Sequence, residues 1–361
     1  MATVQQVAER AGVSAATVSH VTNNTRFVSP ELRARVHAAM DELDYRPNAL
    51  ARSLRRGETR TLGLIVPESS NPFFAEVAQA VELAAFDRGY SVILCNSEGS
   101  PTKERLHLDV LLTKQVDGVI LMSTGAEDAL SQLVSGTIPI VIVDRDMPNM
   151  ETDLVLADNR HGGYLATRHL IGLGHRRIGL ISGPPGITLS EQRISGYMGA
   201  LAEAGLAPDD TLLTHGDFHF ESGRSGALIL MNRPDPPTAV FACNDLMAIG
   251  VRRAAAEIGL QVPEDLSVVG FDDIQLASFT TPSLTTVAQP KAEMGRQAVR
   301  LLLGRMADKN APAIRLVLLP DLVMRESSAA RPSRSPDSAC RLTSSRSRSL
   351  KEVLPGTATA I

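Results

Sequence analysis

Over the first 46 residues the apolar positions recur at helical spacing in three short bursts. Val4, Val7, Ala8 and Ala11 fall on one side of a first helix, Val18 and Val21 on one side of a second, and Leu32, Val36, Ala39, Met40 and Leu43 on one side of a third. Each burst has its own start signal. Thr3-Val4-Gln5-Gln6 has the form of a capping box, and Ser14 precedes the run Ala15 to Val21. Ser29-Pro30-Glu31 offers an N-cap, a proline at the first helical position and an early acid. Gly12 falls in the turn between the first two helices. The pattern predicts a tri-helical head around a small core. A unit of that size is marginal alone, so it is expected to lean on a partner or on DNA.

From Thr61 the rhythm changes to short apolar runs rich in Val and Ile, separated by amphipathic helical stretches. The runs are Leu62 to Val66, Ser91 to Cys95, Gly118 to Met122, Ile138 to Val143, Arg177 to Ser182, Thr238 to Ala242 and Ser267 to Phe271. All read as short buried strands. A helix carrying Phe74, Val77, Val81, Ala84 and Ala85 follows the first of them. Helices between buried strands imply parallel sheets covered on both faces. Seven or more strands over so long a stretch fit two doubly wound α/β lobes better than one. From Ser327 onward Ser, Arg and Pro dominate, which predicts a disordered tail.

Composition sharpens this picture. No run reaches the roughly 18 apolar residues of a membrane span, and the start lacks the basic and apolar segments of a secretory signal, so a cytoplasmic protein without membrane contact is expected. Cys95, Cys243 and Cys340 lie far apart, outside any CxxC pattern, and read as reduced thiols. The net charge of −4 conceals an asymmetry: residues 1 to 60 hold nine arginines against six acids, whereas residues 61 to 326 hold 21 basic against 32 acidic residues. A basic head on an acidic body suits a head that meets phosphate and a body that is repelled by it. Gly172-Leu173-Gly174-His175 is not GxGxxG, and GxxxxGK[ST], HExxH and GxSxG are all absent. No cofactor, metal or catalytic residue is therefore expected, and the chain does not read as an enzyme. His215 and His219 read as surface or loop residues.

In the second helix Ala15, Ala16, Ser19 and His20 share the face opposite Val18 and Val21. That face is small enough to enter a major groove, where Ala can touch a thymine methyl and His can bond a guanine edge. Ser14, Thr17, Asn23 and Arg26 suit phosphate oxygens. The segments Val7-Ala8-Glu9-Arg10-Ala11-Gly12-Val13-Ser14, Thr17-Val18-Ser19-His20-Val21, Arg26-Phe27-Val28 and Leu43-Asp44-Tyr45-Arg46-Pro47-Asn48 closely resemble the repressor family typified by the lactose, purine and ribose operon repressors. The likeness runs from residue 2 to about 326. Next, Ala49-Leu50-Ala51-Arg52-Ser53-Leu54 resembles that family's hinge helix, which implies that Leu54 is wedged into a central minor-groove step. Independently, so short a segment cannot stay helical alone, and Arg52, Arg55 and Arg56 suit nearby phosphate.

A sugar site needs aromatic faces for the ring and fixed carboxylate, guanidinium and amide groups for its hydroxyls. Asn71, Phe73 and Phe74 follow the first strand, Asp144 and Arg145 end the fourth, and Arg193 opens a helix after Gly183-Pro184-Pro185-Gly186. Asn244 and Asp272 follow later strands, and Phe218 and Gln289 complete the set. Ligands of open α/β sheets sit at such carboxyl ends. Asn and Asp there can also serve only as helix caps, as Asp245 and Asp273 do in the plainer reading. These ten positions are similar, one by one, to the pocket of the periplasmic ribose-binding protein, a transport relative of the body. The stretches Arg88 to Gly99 and Asp272 to Phe279 resemble the ribose branch of the repressors. Asp144-Arg145 departs from that branch toward the transport protein.

The resemblance implies a helix-turn-helix domain at 1–46, a hinge helix and linker at 47–60, a first lobe at 61–160 with 291–319, a second lobe at 161–290 with 320–326, and a tail at 327–361. It implies a homodimeric repressor on double-stranded operator DNA, controlled by a small sugar, with ribose favoured. A purine or another sugar remains open as the effector, as does the choice between inducer and corepressor. A transport-type binding protein would share the body but not the basic head, and a dehydrogenase would need a nucleotide fingerprint.

Overall fold

The computed structural model describes residues 2–23, 25–46, 58–123, 138–147 and 150–331. The chain divides into two compact units, Met1–Arg60 and Thr61–Ile361.

In the first unit, α1 (Val4–Ala11) carries the expected capping box: the Thr3 hydroxyl accepts from the Gln6 N–H while the Gln6 side chain accepts from the Thr3 N–H. Gly12 ends the helix at φ 62, a left-handed conformation that an L side chain resists. α2 (Ala15–Asn23) starts where the Ser14 hydroxyl accepts from the Thr17 N–H, and α3 (Pro30–Glu42) is capped by Ser29 with proline in its first turn. Val7, Ala8, Ala11, Val18, Val21, Val36 and Ala39 form the core, with Met40 and Leu43 half-buried against it. Val4, expected on the inner side of α1, is exposed. The Arg35 guanidinium donates to the Ala11 carbonyl beside the Gly12 turn. Arg10 and Glu42 form a bidentate pair at 2.7 and 2.6 Å, but both are exposed and screened by solvent, so the pair adds little to stability.

Among the described residues, the second unit holds two six-stranded sheets. The first is built from β1 (Thr61–Val66), β2 (Ser91–Asn96), β3 (Gly118–Met122), β4 (Ile140–Val143), β5 (Asp153–Ala157) and β11 (Arg315–Leu318), in the order β11-β5-β4-β3-β1-β2, all parallel. The second is built from β6 (Ile178–Ser182), β7 (Leu213–His215), β8 (Ala239–Ala242), β9 (Ser267–Asp272), β10 (Thr285–Ala288) and β12 (Asp321–Val323), in the order β12-β10-β9-β8-β6-β7, with only β12 antiparallel. In both sheets the strand order reverses about the first central strand, which opens a crevice at the carboxyl ends. The chain crosses from the first lobe to the second after β5, returns after β10, and crosses again between β11 and β12.

Helices α4 (Pro72–Phe86), α5 (Pro101–Thr113) and α11 (Lys291–Ala307) cover the first sheet, and α6 (Asn159–Gly172), α7 (Thr188–Glu203), α8 (Phe220–Met231) and α9 (Asp245–Glu257) cover the second. A short helix, α10 (Gln275–Phe279), follows β9. On α4 the buried stripe is Phe73, Val77, Val81 and Ala85: Val77, Val81 and Ala85 are buried as read, Phe73 rather than Phe74 begins the stripe, and Ala84 lies half-buried at its margin. Phe74 therefore sits on the next face, toward the crevice.

Three further features differ from expectation. β5, β7, β10, β11 and β12 are strands that the apolar-run reading missed; β7 and β12 have three residues each, and β10 buries two threonines at its start. β2 is apolar yet largely exposed, because it is a sheet edge. The tail does not begin at Ser327. That residue is buried, its hydroxyl donates to the Val268 carbonyl and accepts from the Thr285 N–H, and the Arg331 N–H bonds the Leu173 carbonyl. Residues 327–331 therefore belong to the second lobe; composition alone cannot register hydroxyls that find partners on a sheet.

Candidate functional site

On α2, Ala15 and Ala16 are exposed while Ser19 and His20 are half-buried, on the side away from Val18 and Val21. Ser14 and Thr17 are bound to each other through their hydroxyls at 2.9 Å. His20 uses Nδ1 on the Thr25 hydroxyl at 3.0 Å, which orients the ring. Asn23 reaches back to the Ser19 carbonyl at 2.8 Å, and Arg26 is exposed. Arg52, Leu54 and Arg55 lie outside the described residues.

The second unit contains a cavity of about 530 Å³ between the carboxyl ends of its two sheets. Asn71, Phe73, Phe74, Asp144, Arg145, Arg193, Phe218, Asn244, Asp272 and Gln289 all line it. Glu68, Glu98, Ser123, Asp217 and His219 also line it, none of them read as a site residue in the sequence. His219 is exposed and outside the helices and strands, as read, and its Nε2 lies 3.2 Å from the Glu68 carboxylate of the other lobe. Burial works against the charged ring there, but Glu68 and Asp217 together raise its pKa.

Backbone strain marks four lining residues. Glu98, Asp144, Phe218 and Asp272 have φ of 51, 61, 70 and 113, a region that L residues rarely occupy and that clusters at functional sites. Arg193 is held at the centre of the second lobe. Its Nε donates to Asn159 Oδ1 at 2.8 Å, its Nη1 donates to the Cys243 carbonyl, and its guanidinium lies 3.7 Å over the Phe271 ring. Glycines permit this placement. A Cβ on Gly163 would lie 2.3 Å from the Arg193 carbonyl, and one on Gly196 would lie 2.0 Å from the Arg160 carbonyl, so α6 and α7 meet backbone to backbone only with glycine at both.

The cleft is electrostatically tense. Burial pushes the Asp144 carboxyl up to about 7, against the pull of Arg193, and the neighbouring Asp272 adds to the rise. Burial likewise pushes Asp272 up to about 6, with Arg193 and the hydrogen bond from Gln289 opposing it. Asp144 Oδ1 and Gln289 Oε1 are buried acceptors with no hydrogen-bond partner. Each such orphan costs about 1–3 kcal/mol, which a ligand hydroxyl recovers by donating to it. Asn244 and Asn71 act first as helix caps, accepting from Met247 N–H and Phe73 N–H, and Asn244 also donates to the Phe218 carbonyl at 2.8 Å. Asp245 is not a cap; it bonds the Thr286 hydroxyl and the Ile274 N–H below the cleft.

Residues 3–48 match the bacterial regulatory proteins of the lacI family, and residues 167–328 match the periplasmic binding protein-like domain. The ribose operon repressor of Escherichia coli strain K12 is 43% identical over 329 residues, covering 91% of this chain and 100% of that protein. The HTH-type transcriptional repressor PurR of Proteus mirabilis is also 43% identical, over 92% of this chain and 98% of its own length. The chain belongs to the LacI family. Among solved structures, the lac repressor dimer bound to operator and the anti-inducer ONPF is 29% identical over 91% of this chain and 99% of its own, with a TM-score of 0.83. A LacI family regulator from Enterococcus faecium with bound ribose is 31% identical over 75% of this chain and 100% of its own, with a TM-score of 0.69. This LacI-family protein is thus a DNA-binding transcriptional repressor with a ligand-binding body, and not an enzyme. Among the described residues, no group of His, Cys, Asp or Glu is placed to hold a metal, and no helix is long and apolar enough to cross a membrane.

Proposed function

We propose that this repressor is a cytoplasmic homodimer that senses a small unphosphorylated sugar, ribose first, and gives up its operator when the sugar closes the two lobes. The observation that carries the effector assignment is the pair of orphaned buried acceptors, Asp144 Oδ1 and Gln289 Oε1, beside Asp272 in a cavity with aromatic walls. Acceptors of that kind ask for several hydroxyl donors on one small ring. Glu68, Glu98 and Asp217 on the same lining make the cavity inhospitable to a phosphate ester. The likeness to a ribose-bound relative and to a ribose repressor supports the same reading.

In this reading residues 1–46 place α2 in the major groove, with Ala15, Ala16, Ser19 and His20 at base edges and Ser14, Thr17, Asn23 and Arg26 toward phosphates. Residues 47–60 form the hinge, with Leu54 as a minor-groove wedge flanked by Arg52 and Arg55. A dimer is supported by an exposed apolar face. Leu83 and Phe86 of α4 and Leu94 of β2 are more than half exposed, and a groove beside them is lined by Val92, Leu276 and Phe279. A second copy of the chain is the occupant that a repressor of two-fold operators requires.

A purine is the second reading, because PurR is as similar in sequence as the ribose repressor. One experiment separates them. Operator DNA is titrated with the full-length protein in the absence of ligand, with D-ribose, and with hypoxanthine or guanine. Ribose is expected to weaken operator binding; tightening by a purine with no response to ribose would replace this reading by the second. In the same assay Leu54→Ala weakens operator binding and leaves sugar binding intact.

A further inference from the structure

At the junction of the lobes, the cleft's Asp272 is held by residues that never reach the ligand. Lys291 is the first residue of α11 and Glu76 lies in the first turns of α4, so both belong to the first lobe. Their side chains pair at 3.1 Å, with Lys291 nearly buried. Each then grips the backbone of one second-lobe loop. The Lys291 ammonium donates to the carbonyls of Asp272 and Asp273, and Glu76 Oε1 accepts from the Gln275 N–H at 2.9 Å. Asp272 and Asp273 both have positive φ, at 113 and 51, so the loop is strained where it is gripped.

We infer that Glu76 and Lys291 form a positioning pair that holds the Asp272 carboxylate in the effector cleft and ties that carboxylate to the first lobe. Neither residue lines the cleft. The pair is charged because its targets are opposite: carbonyl oxygens need a cation and an amide N–H needs an anion. Since only backbone groups are gripped, the loop is fixed whatever its side chains. The inference rests on Asp272 being an effector residue, as proposed above, but not on the effector being ribose.

The two members act on Asp272 with opposite signs. Among the charges facing it, Arg193 and Lys291 favour its carboxylate, whereas Glu76 and the neighbouring acids Asp144 and Asp245 oppose it. Removing Lys291 therefore moves the pH below which effector affinity falls upward, and neutralising Glu76 moves it downward. A merely structural role would shift both variants the same way.

The test compares the full-length protein with Lys291→Met and Glu76→Gln. D-ribose and hypoxanthine are titrated by calorimetry from pH 5 to 8, and amide exchange is followed in the ligand-free proteins. Lys291→Met is expected to lose about tenfold or more in affinity for whichever probe binds the parent protein, with its pH midpoint raised, while Glu76→Gln has its midpoint lowered. Exchange at residues 273–275 is expected to quicken in Lys291→Met. Unchanged affinity, or midpoints moving in the same direction, would overturn the inference. If neither probe binds the parent protein, the effector assignment falls, and exchange still decides: rates at 273–275 equal to the parent's in both variants would refute the grip.

Discussion

Replacing Asp144 by Asn should make the ligand-free repressor more stable and worse at its task. Asp144 Oδ1 is sealed from solvent without a partner, and burial lifts the carboxyl from 3.8 to about 7. A native state that holds a proton more tightly than the unfolded chain loses stability as pH rises. Here the loss accumulates between about pH 4 and pH 7 and is complete above it. The displacement corresponds to about 4 kcal/mol at full ionisation, trimmed because the rest of the residue is only half-buried. The isosteric amide carries no charge, so Asp144→Asn should gain less than half as much at pH 5 as at pH 8, where the gain is up to a few kcal/mol, read by thermal melting across that range. The same substitution removes a charged acceptor for a sugar hydroxyl, worth about 1.5–3 kcal/mol, or roughly tenfold to a hundredfold in affinity. Equal stabilisation at pH 5 and pH 8, or undiminished sugar affinity in calorimetry, would refute this account of the cleft.

Gly196→Ala should push α7 off α6, because the new Cβ would lie 2.0 Å from the Arg160 carbonyl and 2.6 Å from the Tyr164 nitrogen. A loss of at least about 1–3 kcal/mol in melting experiments is expected, together with weaker sugar binding as Arg193 moves; parental values for both would show that the helices can separate freely. Gly12→Ala strains a left-handed turn and brings Cβ to 2.6 Å from the Arg35 guanidinium, costing about 1–2 kcal/mol within the head. Operator affinity in a gel-shift titration should fall while sugar affinity holds, and an unaltered operator titration would remove the Gly12 turn from the argument.

Local chemistry was the legible part of this chain. Capping residues such as Thr3, Ser14 and Ser29 announce helix starts without any tertiary information, and all three cap as read. Of the ten cleft residues, Asn71, Phe73, Phe74, Asp144, Arg145, Asn244 and Asp272 were findable because they follow buried apolar runs and so sit at carboxyl ends of strands, whereas Arg193, Phe218 and Gln289 were joined to them by the resemblance; all ten line one cavity. What escaped depends on partners distant in sequence. His219 is the surface residue it looked like, but nothing near it in sequence announces Glu68, which reaches it from the opposite lobe. Ser327 looked like the start of a tail because a serine's burial is decided by the sheet that receives its hydroxyl. β10 escaped because Thr285 and Thr286 read as polar, although one binds Ser327 and Arg325 and the other the buried Asp245. Glu76 and Lys291 carry no motif at all. Their meaning comes from the crossover after β10, where the chain re-enters the first lobe beside the loop that holds Asp272. A doubly wound lobe puts its ligand groups on strand ends, but only the crossover between lobes decides which charges stand behind them. The residues most able to tune effector affinity without touching the effector should therefore be sought at those crossovers.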